Sequence, residues 1–455
     1  MISMTKKPIS LTTDPVRTAI LRFALPFLAA NVLQSLYGAI DLLILGRYCA
    51  SAAISAVATG SQVMLTLQSL VIGLATGSTV LIGQSIGEGD DEKSARAVGS
   101  SAVLFALVAL LLTPSMIGLT PQILQWMKIP AEAERFAREY LSICAGGLPF
   151  ILGYNALGSV FRGTGDSKRP MIFVAISSGV NLLGDLLLVG LLGLGAAGAA
   201  VATVFSQLVS FLLAFFYIRR KGFKFPFHAA HFRPRLPLIG FILKIAVPLA
   251  AQELLVNFSF LIITTMVNDM GVVMSASVGI VEKILGFVMM PPMAFASAVT
   301  TMTAQNIGAK QPQRALLSLR WGCTYALIFG VGFCAAALAA PQFFTGIFSK
   351  EPEIVTMAAT YLRPYSMDCV LICVIFMMNA YFNGCGKSFI SFAHSVAATF
   401  LVRVPLCRLA VKYCVGTLRP MGFAMPMASV FSLIVCCIYF LWLKKRGPGR
   451  TEPAI

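Results

Sequence analysis

The chain has 455 residues, of which 58% are hydrophobic and 12% charged, and its formal net charge is +17. Soluble globular chains carry about 25% charged residues and lack repeated apolar runs of about 20 residues. Runs such as Ile172–Leu194, Val201–Tyr217 and Ser429–Leu443 recur throughout, which excludes a soluble fold and predicts an all-α polytopic membrane protein.

Twelve membrane helices are expected near 18–45, 52–82, 94–117, 134–160, 169–191, 195–218, 239–267, 274–303, 313–338, 353–381, 389–411 and 421–443. Lys6 and Lys7 precede polar residues and Pro15 without a cleavable apolar core, so the first helix is expected to stay in the mature protein. It carries Pro26, whose missing N–H permits a kink. Gln34, Tyr37 and Asp41 then form one polar stripe, since residues three and four apart share a helix face. Asp41 is an acid with no base within five residues, and an intramembrane acid costs about 3 kcal/mol on insertion scales. The second helix ends in "GQSIGEGD" and the fourth in "FRGTGDSK". The fifth places Asn181 and Asp185 four apart on one face, and the sixth carries Thr203. Counting from the turn "GLGAAG", Asp185 and Thr203 both lie roughly 12 Å below the outer surface, and Asp41 lies at a similar depth. Asp41, Asp185, Asn181 and Thr203 can therefore meet in the outer half of the first bundle. Two carboxylates in one desolvated pocket cannot easily both be ionised, so the pair suits a proton. The same oxygens suit Na⁺, and a structural hydrogen-bond cluster is the plainer alternative.

The second half differs. Ile263 stands where Asp41 stands in the first, and Glu253, Glu282, Lys283, Asp368 and Arg403 lie in or near helices. These are expected to form an internal charge-neutralising network, for example through Lys283 and Glu253. Methionines flank Pro291–Pro292 and sit near Asp368; they suit either an adaptable cleft or core filling. The eleven cysteines fall mostly inside apolar helices without metal-ligand spacing, so no metal is expected.

Basic residues concentrate in alternate loops, among them Lys93, Arg96, Arg162, Lys168, Arg169, Arg314, Lys387, Lys444, Lys445 and Arg450. The middle loop "RRKGFKFPFHAAHFRPRLP" belongs to the same set. The positive-inside rule puts this loop and both termini in the cytoplasm of a plasma-membrane protein. The charge is scattered over short loops rather than gathered on one face, which argues against a nucleic-acid partner.

The chain repeats itself. Gln84 and Gln305, Gly87 and Gly308, and the glycines of "FRGTGDSK" and "FNGCGKS" are each 221 residues apart, as are "AREYL" and "AATYL". "ALPFLAA" at 24–30 matches "AVPLAAQ" at an offset of 222. The expected domains are an N-terminal six-helix bundle (1–218), a basic linker (219–238) and a C-terminal six-helix bundle (239–455). Parallel repeats of this kind are related by an axis along the membrane normal and suit alternating access.

Taken together, the Pro26–Tyr37–Asp41 pattern, "GQSIGEGD", "RGTGDSKRP", "NLLGD" and "GAAVAT" resemble the multidrug and toxic compound extrusion (MATE) family over nearly the whole chain. The resemblance implies a cofactor-free antiporter, monomeric in the bilayer, that exports small organic, often cationic, compounds in exchange for H⁺ or Na⁺. It implies that Asp41, Asp185, Asn181 and Thr203 carry the ion and that the first helix bends at Pro26. Gln34, Tyr37 and Asn155 are then expected to line the substrate surface. The sodium-coupled branch places acids on the seventh and tenth helices, and Glu253 and Asp368 fall about one turn from those positions. A flippase for lipid-linked saccharides is the alternative transport reading. Such relatives often have extra helices and a more cationic cleft. A membrane enzyme is not expected: His228, His231 and His394 are split between the loop and the eleventh helix, with no HExxH, GxSxG or Walker-type loop.

Overall fold

A segment without water to bond its backbone must satisfy every N–H and C=O internally, and the helix is the local way to do so. The computed structural model describes residues 10–223, 225–414 and 416–446, and among these it has helices and no strands. Lys6, Lys7, Arg450 and the two termini lie outside the described residues. In chain order, α1 is Val16–Tyr48, α2 Ser51–Glu88 and α3 Asp91–Trp126. α4 is the bent pair Ala131–Gly146 and Leu148–Gly163, α5 Lys168–Leu191 and α6 Gly195–Lys221. α7 is Leu236–Asn268, α8 the bent pair Val272–Val288 and Met290–Gly308, and α9 Pro312–Ala339. α10 is the bent pair Pro352–Ser366 and Asp368–Gly384, α11 Ser388–Tyr413 and α12 Arg419–Arg446. Counting each bent pair as one span gives twelve spans among the described residues.

The bends have local causes. α4 bends by 43° at Gly147, with Pro149 opening its second segment, and α10 by 44° just after Pro364. Proline removes a ladder hydrogen bond and clashes with the preceding turn. The two breaks fall at nearly the same place in the repeat. The "GEGD" motif is a stop and a start. Gly89 ends α2, and Asp90 caps α3 by accepting from the Lys93 N–H at 2.8 Å. The duplication also shows in packing. A carbon added at Gly163 would stand 3.3 Å from the Thr79 oxygen, and one added at Gly384 2.8 Å from the Thr300 oxygen. Thr79 and Thr300 are themselves 221 apart, so the α2–α4 and α8–α10 approaches are copies of one contact.

The chain divides into two compact units. The first is Leu25–Val247 and the second comprises Ser10–Ala24 with the residues from Pro248 onward. Within the first unit, α2 packs on α3 and on both segments of α4, and α5 packs on α6. Its core holds Leu74, Ile82, Phe105, Leu148, Leu152 and Ile242. The linker is folded onto this unit. Phe225 is buried in the core with Phe223 and Phe227 against it, and His231 bonds Glu92 at 3.0 Å. Within the second unit, α10 packs on α8, α9 and α12. Its core holds Tyr361, Leu362, Cys369, Ile284 and Met421. The Ser10–Ala24 strap is part of it: Arg314 donates to the Asp14 carbonyl at 2.7 Å, Asn306 donates to the Leu11 carbonyl at 3.2 Å, and Ile20 and Phe23 are buried. α1 therefore leaves the second unit one residue before Pro26, and α7 leaves the first immediately before Pro248. These are matching prolines of the repeat.

Candidate functional site

Polar side chains inside the first unit gather where α1, α4 and α5 converge. The i, i+4 spacing puts Asn181 and Asp185 on one face of α5, and both are buried at 1% exposure. Asp185 ends the regular part of α5. The next six residues, Leu186–Leu191, widen into a π-helical turn, a distortion that often marks functional positions. The carboxyl groups of Asp41 and Asp185 lie within hydrogen-bonding reach of each other. Tyr37, one turn before Asp41, stands beside both acids.

The site is under-supplied with donors. Among the described residues, no donor reaches either oxygen of Asp185, and one oxygen of Asp41 is in the same state. Both polar atoms of the Asn181 amide are buried and unbonded as well. Orphaned buried polar atoms are rare in folded proteins and call for a further partner or a working role. A carboxylate has only acceptor oxygens, so two facing carboxylates need a proton or cation between them. The residues present fit either.

The other expected residues are placed as follows. Thr203 is half-buried on α6, where Gly184 of α5 meets its neighbour Ala202. No hydrogen bond joins Thr203 to either acid among the described residues. Gln34 is exposed and Pro26 half-buried on α1. Asn155 is half-buried in the second segment of α4, and its amide donates to the Ile151 carbonyl at 2.9 Å.

In the second unit, Arg403 and Glu282 act electrostatically on the buried Tyr361 and Tyr365, and Asp368 on Tyr365. The Arg403 guanidinium lies over Phe260 at 5.0 Å and donates to the Ser259 hydroxyl at 3.4 Å. Asp368 reaches Ser429. Glu253 and Lys283 stand apart from this group, and no ion pair joins them among the described residues. Met377 and Met378 are core residues, whereas Met293 and Met367 are exposed.

Sequence reasoning missed Tyr140 and Cys144. Tyr140 lies beside Asp41 and Cys144, and its hydroxyl bonds Ser61 at 3.1 Å. The signal was present: Tyr140 and Tyr361 are the tyrosines of the repeated "AREYL" and "AATYL", and each borders its unit's polar cluster.

The MatE family profile matches residues 26–187 and 248–409, covering both halves. The chain belongs to the MATE family. It is therefore a multi-pass membrane transporter and not an enzyme. Among its relatives is the Bacillus subtilis "Probable multidrug resistance protein YoeA", 27% identical over 93% of this chain and 94% of that one. Another from the same organism, "Probable multidrug resistance protein YpnP", is 26% identical over 95% and 97%. A crystal structure of MATE in complex with MaL6 shares the fold, with a TM-score of 0.89 at 21% identity, covering 97% of this chain and 98% of that one.

Proposed function

We propose that this MATE protein is a plasma-membrane multidrug antiporter that exports cationic or amphipathic organic compounds in exchange for protons by alternating access. It works as a monomer with both termini in the cytoplasm. The observation that carries the coupling is the facing pair of half-buried Asp41 and buried Asp185, in which, among the described residues, no donor reaches either oxygen of Asp185 or one oxygen of Asp41.

A shared proton satisfies both carboxyl groups at once. Loss of that proton leaves two facing negative charges in a desolvated pocket, which is costly until water enters. The pair thus takes a proton from the outer side and gives it up when the site hydrates on the inner side. Pro26 is the place where α1 bends, and Pro248 plays the corresponding part in α7. Support comes from the unit boundaries, which fall at these two prolines. Gln34, Tyr37 and Asn155 present the polar surface that the substrate meets, and Thr203 adds a hydroxyl beside the pair. The charged residues of the second unit act mainly as a structural network. Sodium is the second reading, favoured by the unbonded carbonyl oxygen of Asn181 near two carboxylates, since hard cations take oxygen ligands.

The test uses proteoliposomes loaded with a fluorescent organic cation. Under the proton reading, a pH gradient in sodium-free buffer drives dye movement. If only a sodium gradient at equal pH does so, the coupling ion is sodium.

A further inference from the structure

Arg162 is a cation that the coupling scheme leaves unused. It sits in the last turn of α4, at the end expected to face the cytoplasm. Basic residues at such an end ordinarily extend their charged heads to the interface. On the following loop and helix, Arg169 pairs with Asp166 and lies over the Tyr217 ring at 4.7 Å. Arg162 turns the other way. Its guanidinium lies against Gly158, one turn back into the span, where an added side-chain carbon would stand 3.3 Å from Nη1. Tyr154, a further turn in, is beside it, but the Tyr154 hydroxyl is committed to the Pro170 carbonyl at 3.3 Å. Arg162 is half-buried, and among the described residues no carboxylate pairs with it. Asn155, seven residues earlier, shares its face of the helix.

The repeat shows what a purely structural solution looks like. Gly158 and Arg162 correspond to Asn379 and Asn383. In the second unit both amide oxygens are hydrogen-bonded within the protein. The Asn379 oxygen bonds His394 Nε2 at 2.7 Å, His394 Nδ1 bonds Ser432 at 3.2 Å, and Ser391 donates to the Asn383 oxygen at 3.2 Å. Ser391 and His394 match Pro170 and Phe173, which offer the first unit no side-chain acceptor. One repeat thus holds a neutral hydrogen-bonded cluster, and the other a guanidinium folded back along its helix that no carboxylate pairs with among the described residues. A half-buried guanidinium without a counter-charge keeps its donors available to a ligand, and its planar fork fits a carboxylate or phosphate in two-point contact.

We propose that Arg162 is a binding site for an oxyanion, the carboxylate or phosphate of a transported amphiphile. The substrate class then includes zwitterionic and acidic amphiphiles beside simple cations. The inference rests on the reading of this chain as an exporter of organic compounds.

The test uses the full chain in nanodiscs of zwitterionic lipid and two probes, a xanthylium dye with a free carboxylate and its methyl ester. Arg162→Gln is expected to weaken binding of the acid dye about tenfold, the loss of a charge-assisted hydrogen bond, and to leave the ester unchanged. Arg162→Lys keeps the charge and is expected to recover part of the loss. Equal weakening of both dyes, or of neither, overturns the proposal. A second arm adds phosphatidylglycerol to the nanodisc. If it displaces the acid dye from the wild type but not from Arg162→Gln, the guanidinium serves a lipid headgroup and the substrate assignment is overturned. In proteoliposomes, if the wild type moves neither dye, the export reading fails and this inference fails with it. If it moves the ester and binds the acid without help from Arg162, only this inference fails.

Discussion

Asp41→Asn is the most informative single substitution, because an amide imitates one protonation state of the pair. Under the proposed coupling, one proton serves two facing carboxyl groups, since among the described residues no donor reaches either oxygen of Asp185 or one oxygen of Asp41. In the variant, the Asn N–H donates to Asp185 permanently. The polar contact is kept, so the cost to the folded state stays within about 1 kcal/mol, the net worth of one hydrogen bond. The exchangeable proton, however, is gone. Proton-driven export is expected to fall to the leak rate while the protein melts near the wild-type temperature. Asp185→Asn is expected to do the same by the same route. The double variant removes nothing further, so its export equals that of either single variant. In a double-mutant cycle the coupling then equals the whole single-site effect, as for residues acting as one unit. The assay is dye export from proteoliposomes under a fixed pH gradient, with thermal unfolding of the same samples. Two partial losses that multiply in the double variant would refute the shared site. So would wild-type export by a well-folded Asp41→Asn protein.

Glu253→Gln is expected to reduce export less than Asp41→Asn, because Glu253 stands outside the Asp368–Arg403–Glu282 group; the same vesicle assay ranks the two, and the reverse order would place the ion site in the second unit. Tyr140→Phe removes the hydroxyl that bonds Ser61 at 3.1 Å and is expected to cost about 1 kcal/mol of stability with a partial loss of export, read by melting and initial dye-efflux rate.

The fold was legible because a membrane leaves few options. Twelve apolar runs could only be helices, and the matched motifs announced two copies of one bundle. The bends were less visible. Pro364 and Pro149 are plain in the sequence, but whether a proline kinks a span depends on the neighbours that compensate it. The compact units also follow packing rather than the chain midpoint. The Ser10–Ala24 strap joins the second unit through backbone carbonyls of Leu11 and Asp14, which have no sequence signature. Asp41, Asp185 and Asn181 were readable because an acid or amide in an apolar run demands a reason. Cys144 was not, since cysteine is ordinary in a helix core, and Tyr140 was signalled only by its repeat partner Tyr361. Arg162 was hidden for a different reason. Its charge counts toward the cytoplasmic bias, and only the direction of its side chain separates it from the other loop cations.

The central claim is that the Asp41–Asp185 pair carries the ion that drives export, and that this ion is a proton. The most direct measurement imposes no ion gradient. Sodium-free proteoliposomes with a trapped pH dye receive a downhill gradient of an organic cation alone. The account predicts an opposite proton movement that follows the cation and is absent from the Asp185→Asn protein. Cation movement without any pH change, or a pH change that survives in Asp185→Asn, would contradict it.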